Sequence, residues 1–599
     1  DRSSPLTEIT AANVRRLRPV CRVKLGEEGS LHSGPVVIGD TLLITTVHTT
    51  VALNATTCAT IWRFVDQPQK ADVNPVNRGV AYLDGRIFRG TADGRLMALS
   101  SDSGRVLWDI QAGNPDVGEF LSSAPVAWHG LVFIGLAGSD WGVRGRVMAF
   151  DAKSGQEKWR FWTVPTGKER GAETWTIPAT AAHGGGGTWS SYTLDTLANE
   201  IFVPVGNPAP DWEPRSRPGD NLFTNSVVVL DAGSGALKWW YQLTPNDGFD
   251  LDLGAAPMLY STAGGDARVA LASKDGHLYS IDRGTHKLAF KTAVTTVKAE
   301  AAKPTKAGIH ACPGSNGGTE WNGPAFDAAT QTIFVGAVDW CGIFKSGPPK
   351  FVPGGMYFGT LFMSTATDTA SGWLTALDAG HGTVRWKFHA PAPIVAGVTH
   401  TAGGLVLTGD LKGNLYAFDQ ATGKVAYHTN LGGSVAGGVM TYAVGGKQYV
   451  AATAGNVGRM TFGALGSPTL VVLALGPAGQ AAAGDSASEA QLALPPVTVG
   501  HLLPGTAAAV AAVDSLKQSG ATPPVSTAAG AQVFQICAAC HGAHGEGGAG
   551  ANLQTSKKDL AGVTAYIKNP TGSMPHLYPS ALNDDQVTAV AAYVMTFRH

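Results

Sequence analysis

At 599 residues the chain is long enough to expect more than one domain. Lys and Arg number 44 against 45 Asp and Glu, a net charge of −1, so nothing in the balance points to nucleic acid. Charged residues are only 15% and Gly is 77 of 599, which fits a large β structure with many turns. No apolar run reaches membrane-spanning length: TLVVLAL at 469–475 is too short, and Asp514 interrupts the Ala-rich run at 507–516. In chain order, one pattern then recurs. ALNATTCATIW ends at Trp62, ALSSDSGRVLW at Trp108, AFDAKSGQEKW at Trp159 and VLDAGSGALKW at Trp239. SIDRGTHKLAF ends at Phe290, ALDAGHGTVRW at Trp386 and AFDQATGKVAY at Tyr427. Each unit reads as strand, Asp/Gly turn, strand and closing aromatic, a β-hairpin with a docking ring. The interval from Phe290 to Trp386 is double length, and AFDAATQTIFVGAVDW at 325–340 reads as a degenerate eighth unit. One hairpin cannot bury its own face, whereas a ring of four-stranded blades can. The expected fold is an all-β, eight-bladed β-propeller over residues 1–475.

Residues 476–526 turn rich in Ala, Gly and Pro and read as a linker with some helix. The tail, residues 527–599, carries QICAACHGAHGEGG from Gln535. Cys-x-x-Cys-His is the attachment signature of a c-type haem. Cys537 and Cys540 would bond the two vinyl groups, with His541 beneath the iron as proximal ligand. A thioether on the other face raises the reduction potential, and GSMPHLYP supplies Met574. A zinc site would need a second Cys/His pair nearby, and a thioredoxin-like redox pair leaves His541 and Met574 unexplained. His576, His544 and Met595 are the rivals of Met574. The tail resembles a class I cytochrome c, which implies an all-α domain with one helix carrying the cysteines. A closing helix is expected from about Asn583, with Gln586 as capping partner and Val587, Val590, Ala591 and Val594 as its apolar stripe.

Of six cysteines, two go to haem; Cys21, Cys58, Cys312 and Cys341 remain for two disulfides in an oxidising compartment. Haem c attachment points to the same place, the bacterial periplasm. No signal peptide is visible, and the expectation is that an export signal has been removed ahead of Asp1.

Several segments between the repeats carry chemistry-bearing residues: NPVNRG at 74–79, GSDWGVRG at 138–145, GGGGTW at 184–189, TAGGLVL at 401–407, and the long stretch 203–252, VPVGNPAPDWEPRSRPGDNLFTNSVVVLDAGSGALKWWYQLTPNDGFDLD. In type, order and spacing they resemble the core of the pyrroloquinoline-quinone (PQQ) dependent alcohol dehydrogenases over roughly residues 5–465. With the haem tail, the whole chain resembles the quinohaemoprotein members. That resemblance implies oxidation of a primary or secondary alcohol to an aldehyde or ketone. The rival substrates within the class are aldoses, polyols and polymer alcohols; outside it stands a non-enzymatic electron-transfer protein.

The resemblance also implies roles. Asp140, Asn207 and Asp250 match the ligands of a divalent ion, and all three offer the oxygen that a hard cation needs. Asp250 matches the general base as well. Trp189 matches the indole on which PQQ stacks, Arg78 the guanidinium that pairs with a PQQ carboxylate, and Lys274 the cation on the reactive quinone oxygens. Singly these residues have ordinary readings, as packing, turn or loop residues; their joint order carries the assignment. Asp252 matches a further Asp of lanthanide-using relatives, and an extra carboxylate favours a trivalent ion; Asp140 is atypical for the family, so Ca²⁺ is expected with a lanthanide as the alternative. Asn246 and Asp247 read as turn residues. The resemblance implies a Cys312–Cys341 disulfide, which leaves Cys21 to Cys58.

The chain departs from the pattern in three places. Asp140 stands where Glu is usual. Asp72 and Val73 stand where many members carry adjacent cysteines, so no vicinal disulfide can cover the quinone and a bulky secondary alcohol becomes a plausible substrate. Glu320 stands where Asn is common and is left without a role. Phe120 and the segment from Cys341 to Met363, with Phe344, Phe351, Tyr357 and Phe358, are candidates for the substrate entrance or a self-packed loop. Electrons would leave PQQ through the haem for an external cytochrome, copper protein or quinone. No membrane span is expected, and a monomer is.

Overall fold

The computed structural model describes residues 2–477 apart from 28, 299–302, 360–364, 367–368, 456–461 and 463–466, and then 530, 533–534, 537, 541, 545, 551–570, 582 and 584–597. Its contacts divide the chain into two compact units. Cys540, Met574, His576, His544, Asn583 and nearly all of the expected linker lie outside the described residues.

The larger unit is a propeller of eight blades, each built on four antiparallel strands. The first runs Val36–Ile38, Thr41–Thr45, Thr49–Asn54 and Thr60–Val65. Within a blade the middle strands are buried on both faces, as Leu131–Gly135 and Arg146–Asp151 are, because neighbouring blades cover both sides. Phe133, Val147 and Ala149 of one blade pack against Ile201, Val203 and Val228 of the next. Outermost strands such as Leu288–Ala293 alternate between wet and covered positions.

Each repeat unit is the outer half of a blade, and its closing aromatic docks on the next blade. Trp62 lies where a Cβ on Gly104 would sit 2.5 Å from its ring, and its indole donates to Ser101 O at 2.8 Å. Gly104 has φ +68°, so glycine serves both the turn and the approach. Trp108 repeats the bond to Ala152 O, Trp159 to Ala232 O and Trp386 to Gln420 O. The turn Asp at each strand end accepts backbone N–H groups, as Asp151 Oδ1 does from Lys153 and Ser154.

The eighth blade is not the expected one. The hairpin at 325–340 supplies the first two strands of the sixth blade, Ala325–Asp327 and Thr332–Asp339, which pair on to Ser371–Asp378 and Val384–Ala390. A long insertion between its second and third strands makes the interval double. The true eighth blade joins Val439–Val444, Lys447–Ala454 and Thr469–Leu475 to the N-terminal strand Leu17–Lys24. Hydrogen bonds between the two ends of the unit therefore close the ring. Ser3–Ser4 adds a short parallel strand to the seventh blade.

Both disulfides form, Cys21–Cys58 and Cys312–Cys341. In the second unit Leu560–Lys568 and Asp584–Met595 are helices. Asp559 caps the first by accepting from Gly562 N. Val587, Val590, Ala591 and Val594 are the buried stripe of the second, packed with Phe534, Val563, Ile567 and Phe597. Met595 is at that helix's end, as expected. No helix among the described residues is long and apolar enough to cross a membrane.

Candidate active site

The chemistry-bearing residues converge on one face of the propeller, on the segments that link strands. Asp140 sits in the 3-10 turn Ser139–Trp141, past the strand Leu131–Gly135. Asn207 and Asp211 follow Glu200–Pro204, and Asp250 and Asp252 follow Leu237–Gln242. Lys274 follows Ala267–Ala272, while Glu320 and Arg78 precede inner strands.

Lys274 is the hub. Its ammonium donates to Asp250 Oδ2 at 2.9 Å and to Asp252 Oδ2 at 3.1 Å. Burial alone would lower its pKa, but the charges of Asp250, Asp252 and Glu320 outweigh burial and hold it well above an ordinary lysine. Asp252 Oδ1 accepts from Trp189 Nε1 at 3.1 Å and from Asn207 N at 2.8 Å, so both its oxygens are engaged. Gly318, at φ +76°, lets the loop bearing Glu320 pass the Lys274 backbone, where a Cβ would lie 2.3 Å from Lys274 O.

Asp250 is itself at φ +60°, a strained place for a residue with a side chain. Asp247 over-determines it: Oδ1 accepts from Phe249 N and Oδ2 from Leu251 N, each at 2.8 Å, and Asn225 Nδ2 donates to Oδ2. Asp247 is thus a turn residue, as read, but a buried one that sets the backbone around Asp250. Arg217, fully buried, donates to Asn221 Oδ1, to the carbonyls of Pro210 and Asp211, and to Asp247 O. It ties the loop after Asn207 to the loop of Asp250. Sequence reasoning missed Arg217 and Asp211; the signal available was PAPDW, an acid between prolines four residues past Asn207.

One oxygen each of Asp140, Asp211 and Asp250 lies within 4.8 Å of the others. Burial, reinforced by Asp252 and opposed by Lys274, pushes Asp140 up to about 6. Burial raises Asp250 well above the carboxylate range, with Lys274 opposing and the neighbouring acids adding. Among the described residues, Asp250 Oδ1 and both oxygens of Asp211 are buried without a hydrogen-bond partner. Glu320, likewise with a buried unpartnered Oε1, is pushed up to about 7, chiefly by burial. So many orphaned oxygens facing one another are costly unless a cation joins them, and oxygen-only donors suit a hard one.

The platform for a flat cofactor is present beside this cluster. Trp189 packs so closely on Gly254 that a Cβ there would lie 2.6 Å from the ring. Arg78 lies 4.7 Å from the Trp189 ring centroid and 5.3 Å from that of Trp321, and donates to Trp189 O at 3.1 Å. Burial lowers its pKa to about 9, against the charges of Glu320 and Asp252. An unsatisfied guanidinium Nε, an indole face and an ammonium on one side fit an aromatic polyanion such as PQQ.

The model of the glucose/ethanol/alcohol dehydrogenase PQQ β-propeller domain matches residues 1–303, half of the chain. The chain belongs to the quinohaemoprotein alcohol dehydrogenase family. The cbb3-type cytochrome c oxidase subunit III model matches residues 525–594, and the outer membrane assembly factor BamB model matches 370–485. Quinohemoprotein alcohol dehydrogenase ADH IIB of Pseudomonas putida is 29% identical over 592 residues, 90% of this chain and 82% of that protein. Among solved structures, the quinohemoprotein alcohol dehydrogenase of Comamonas testosteroni superposes with a TM-score of 0.76 at 25% identity, covering 99% of this chain and 93% of the other. A europium-containing methanol dehydrogenase gives 0.73 at 26% identity, covering 79% and 96%. Membership makes this chain a PQQ-dependent dehydrogenase with a c-type cytochrome domain.

In this quinohaemoprotein the insertion after Cys341 is built onto the site. Tyr357 N donates to Asp140 O at 2.6 Å and Trp212 N to Phe358 O at 2.9 Å. Phe358 stacks on Trp212 at 4.7 Å, and Phe344 meets Phe249, the neighbour of Asp250, edge-on at 5.0 Å. Phe351 and Tyr357 instead pack over His183 and Gly142, and Phe120 against Trp141. Residues 360–363 of the expected entrance loop lie outside the described residues. In the cytochrome unit Cys537 and His541 are both in helical backbone. His541 Nδ1 lies 2.7 Å from Ala551 O; a carbonyl only accepts, so Nδ1 carries the proton and Nε2 the lone pair.

Proposed function

We propose that this chain oxidises a primary or secondary alcohol, bulky ones included, to the aldehyde or ketone in the periplasm. Electrons leave through its haem to an external cytochrome, copper protein or quinone. When bound, PQQ supplies the hydride acceptor and haem c a one-electron exit. Asp140, Asn207 and Asp250 would hold the ion, Ca²⁺ or a lanthanide, which would supply Lewis-acid polarisation of a carbonyl.

The chain's own residues do the rest. Asp250, with Oδ2 committed to Lys274 and Oδ1 unpartnered, accepts the substrate's hydroxyl proton; that free, buried oxygen beside a fixed ammonium is the observation that carries the reading. Lys274 presents positive charge toward the reacting oxygens. Trp189 and Arg78 bind and orient the cofactor, and Asp252 positions both Lys274 and Trp189. Phe249, Phe344, Phe358 and Trp212 form an apolar wall near the base that suits a hydrophobic alcohol and excludes water. The absent cysteines at Asp72 and Val73 support room for a bulky one. His541, Cys537 and Cys540 would hold the haem, and Met574 is the residue proposed as its second ligand, in keeping with a class I cytochrome. Two disulfides in the propeller support an oxidising compartment.

The test is optical. Alcohol added to protein loaded with PQQ and Ca²⁺ or La³⁺ should reduce the haem bands, while protein lacking PQQ should not respond. Haem that stays oxidised in the loaded protein, across primary and secondary alcohols, would overturn the reading.

A further inference from the structure

Among the described residues neither oxygen of Asp211 has a hydrogen-bond partner, and Asp211 is only 1% exposed. Asp250 has one oxygen held by Lys274, and Asp252 has both engaged. A buried carboxylate in this condition is costly unless something on its open side compensates it.

Its backbone is fixed, so it cannot swing away to find a partner. Arg217 donates to the carbonyls of Pro210 and Asp211, at 3.1 and 3.3 Å. Ala209 N donates to Gly184 O, and Trp212 N to Phe358 O. With the chain clamped on both sides, the side chain stands against Asp140 and Asp250, with one oxygen of each within 4.8 Å of the others. Two oxygens that share a hard cation at roughly 2.4 Å each can be at most about 4.8 Å apart, so all three meet the distance condition for one ion.

Resting on the metal reading above, we propose that Asp211 is a direct ligand of the ion held by Asp140, Asn207 and Asp250. It makes the set three carboxylates and one amide, a donor charge that favours a trivalent lanthanide over Ca²⁺. The surplus negative charge that selects the ion thus comes from the loop after Asn207, since Asp252 is already spent on Trp189, Asn207 and Lys274.

The experiment uses the full-length, PQQ-loaded protein stripped of metal, titrated calorimetrically with LaCl₃ and separately with CaCl₂. Wild type is compared with Asp211→Asn, which keeps the shape and removes the charge. The expected result is La³⁺ affinity weakened at least ~10-fold, with Ca²⁺ affinity weakened less. With Tb³⁺ bound, luminescence lifetimes in H₂O and D₂O should count about one more coordinated water in the variant. If Asp211→Asn folds poorly, Asp211→Ser and the metal-induced rise in melting temperature give the same comparison. Equal affinities and equal water counts in wild type and variant overturn the role of Asp211 and leave the site standing. Wild type that binds neither ion overturns the metal reading itself.

Discussion

Trp189 donates its indole hydrogen to Asp252 Oδ1 at 3.1 Å, so the cofactor platform and the acid that steadies Lys274 are one unit. Asp252→Asn would set an amide NH₂ against either the indole or the ammonium, both donors. Either the indole loses its acceptor, or Lys274 keeps Asp250 but loses its second one. The expected outcome is a kcat about 10-fold lower with KM changed much less, since the reacting geometry suffers more than binding. Steady-state kinetics with the fold checked by circular dichroism decide it; an unchanged kcat would remove Asp252 from the positioning role.

Asp250→Ala removes the base and an ion ligand together. Turnover should fall by more than ~10²-fold while the haem spectrum and the fold survive. Near-wild-type turnover in a variant shown to bind PQQ would sink the assignment of the base.

How much of this was legible in the sequence depends on how local each cause is. Seven blades announced themselves because a polar turn residue and a docking aromatic lie within a dozen residues of one another, in most of them with a turn Gly between, as around Asp151, Gly155 and Trp159. The eighth did not: its outer strand, Leu17–Lys24, pairs with Thr469–Leu475 at the other end of the propeller. Its own turn, between Val444 and Lys447, lacks the Asp and the aromatic. The site followed the same rule. Arg78, Asp140, Trp189, Asn207, Asp250 and Lys274 stand in motifs that carry their own spacing. Asp211 and Arg217 matter only because the loop after Asn207 folds against the loop of Asp250, and nothing in either loop alone records that meeting. Asp247 was read as a turn residue and is one, but its burial, and so its hold on Asp250, needed the third dimension.

The haem prediction joins a described proximal side to a distal residue outside the described residues. His541 Nδ1 is fixed on Ala551 O, which leaves the Nε2 lone pair for the proposed bond to iron. Met574→Ala should erase the weak far-red charge-transfer band of a thioether-ligated oxidised haem, lower the reduction potential, and slow electron exit. Reduction of PQQ by substrate should remain, read with an artificial acceptor that takes electrons from PQQ directly. A band that persists in the variant would move the distal ligand elsewhere, to His576 first.

Glu320 gives a pH prediction of definite sign. Burial, with Asp252 adding and Lys274 and Arg78 opposing, lifts its pKa to about 7 in the folded chain. An acid whose folded value is raised costs nothing below its unfolded value, where both states are protonated. The cost grows as pH rises between the two values and is complete above the folded one. For Glu320 the window runs from roughly pH 4.5 to 7, and the full cost is about 3 kcal/mol. Glu320→Gln cannot ionise, so it removes the cost without changing the shape. In protein free of PQQ and metal, urea unfolding should find the variant level with wild type near pH 5 and progressively more stable than it toward pH 8. A stability difference that stays flat across that range would show that Glu320 is not the buried acid the structure makes it.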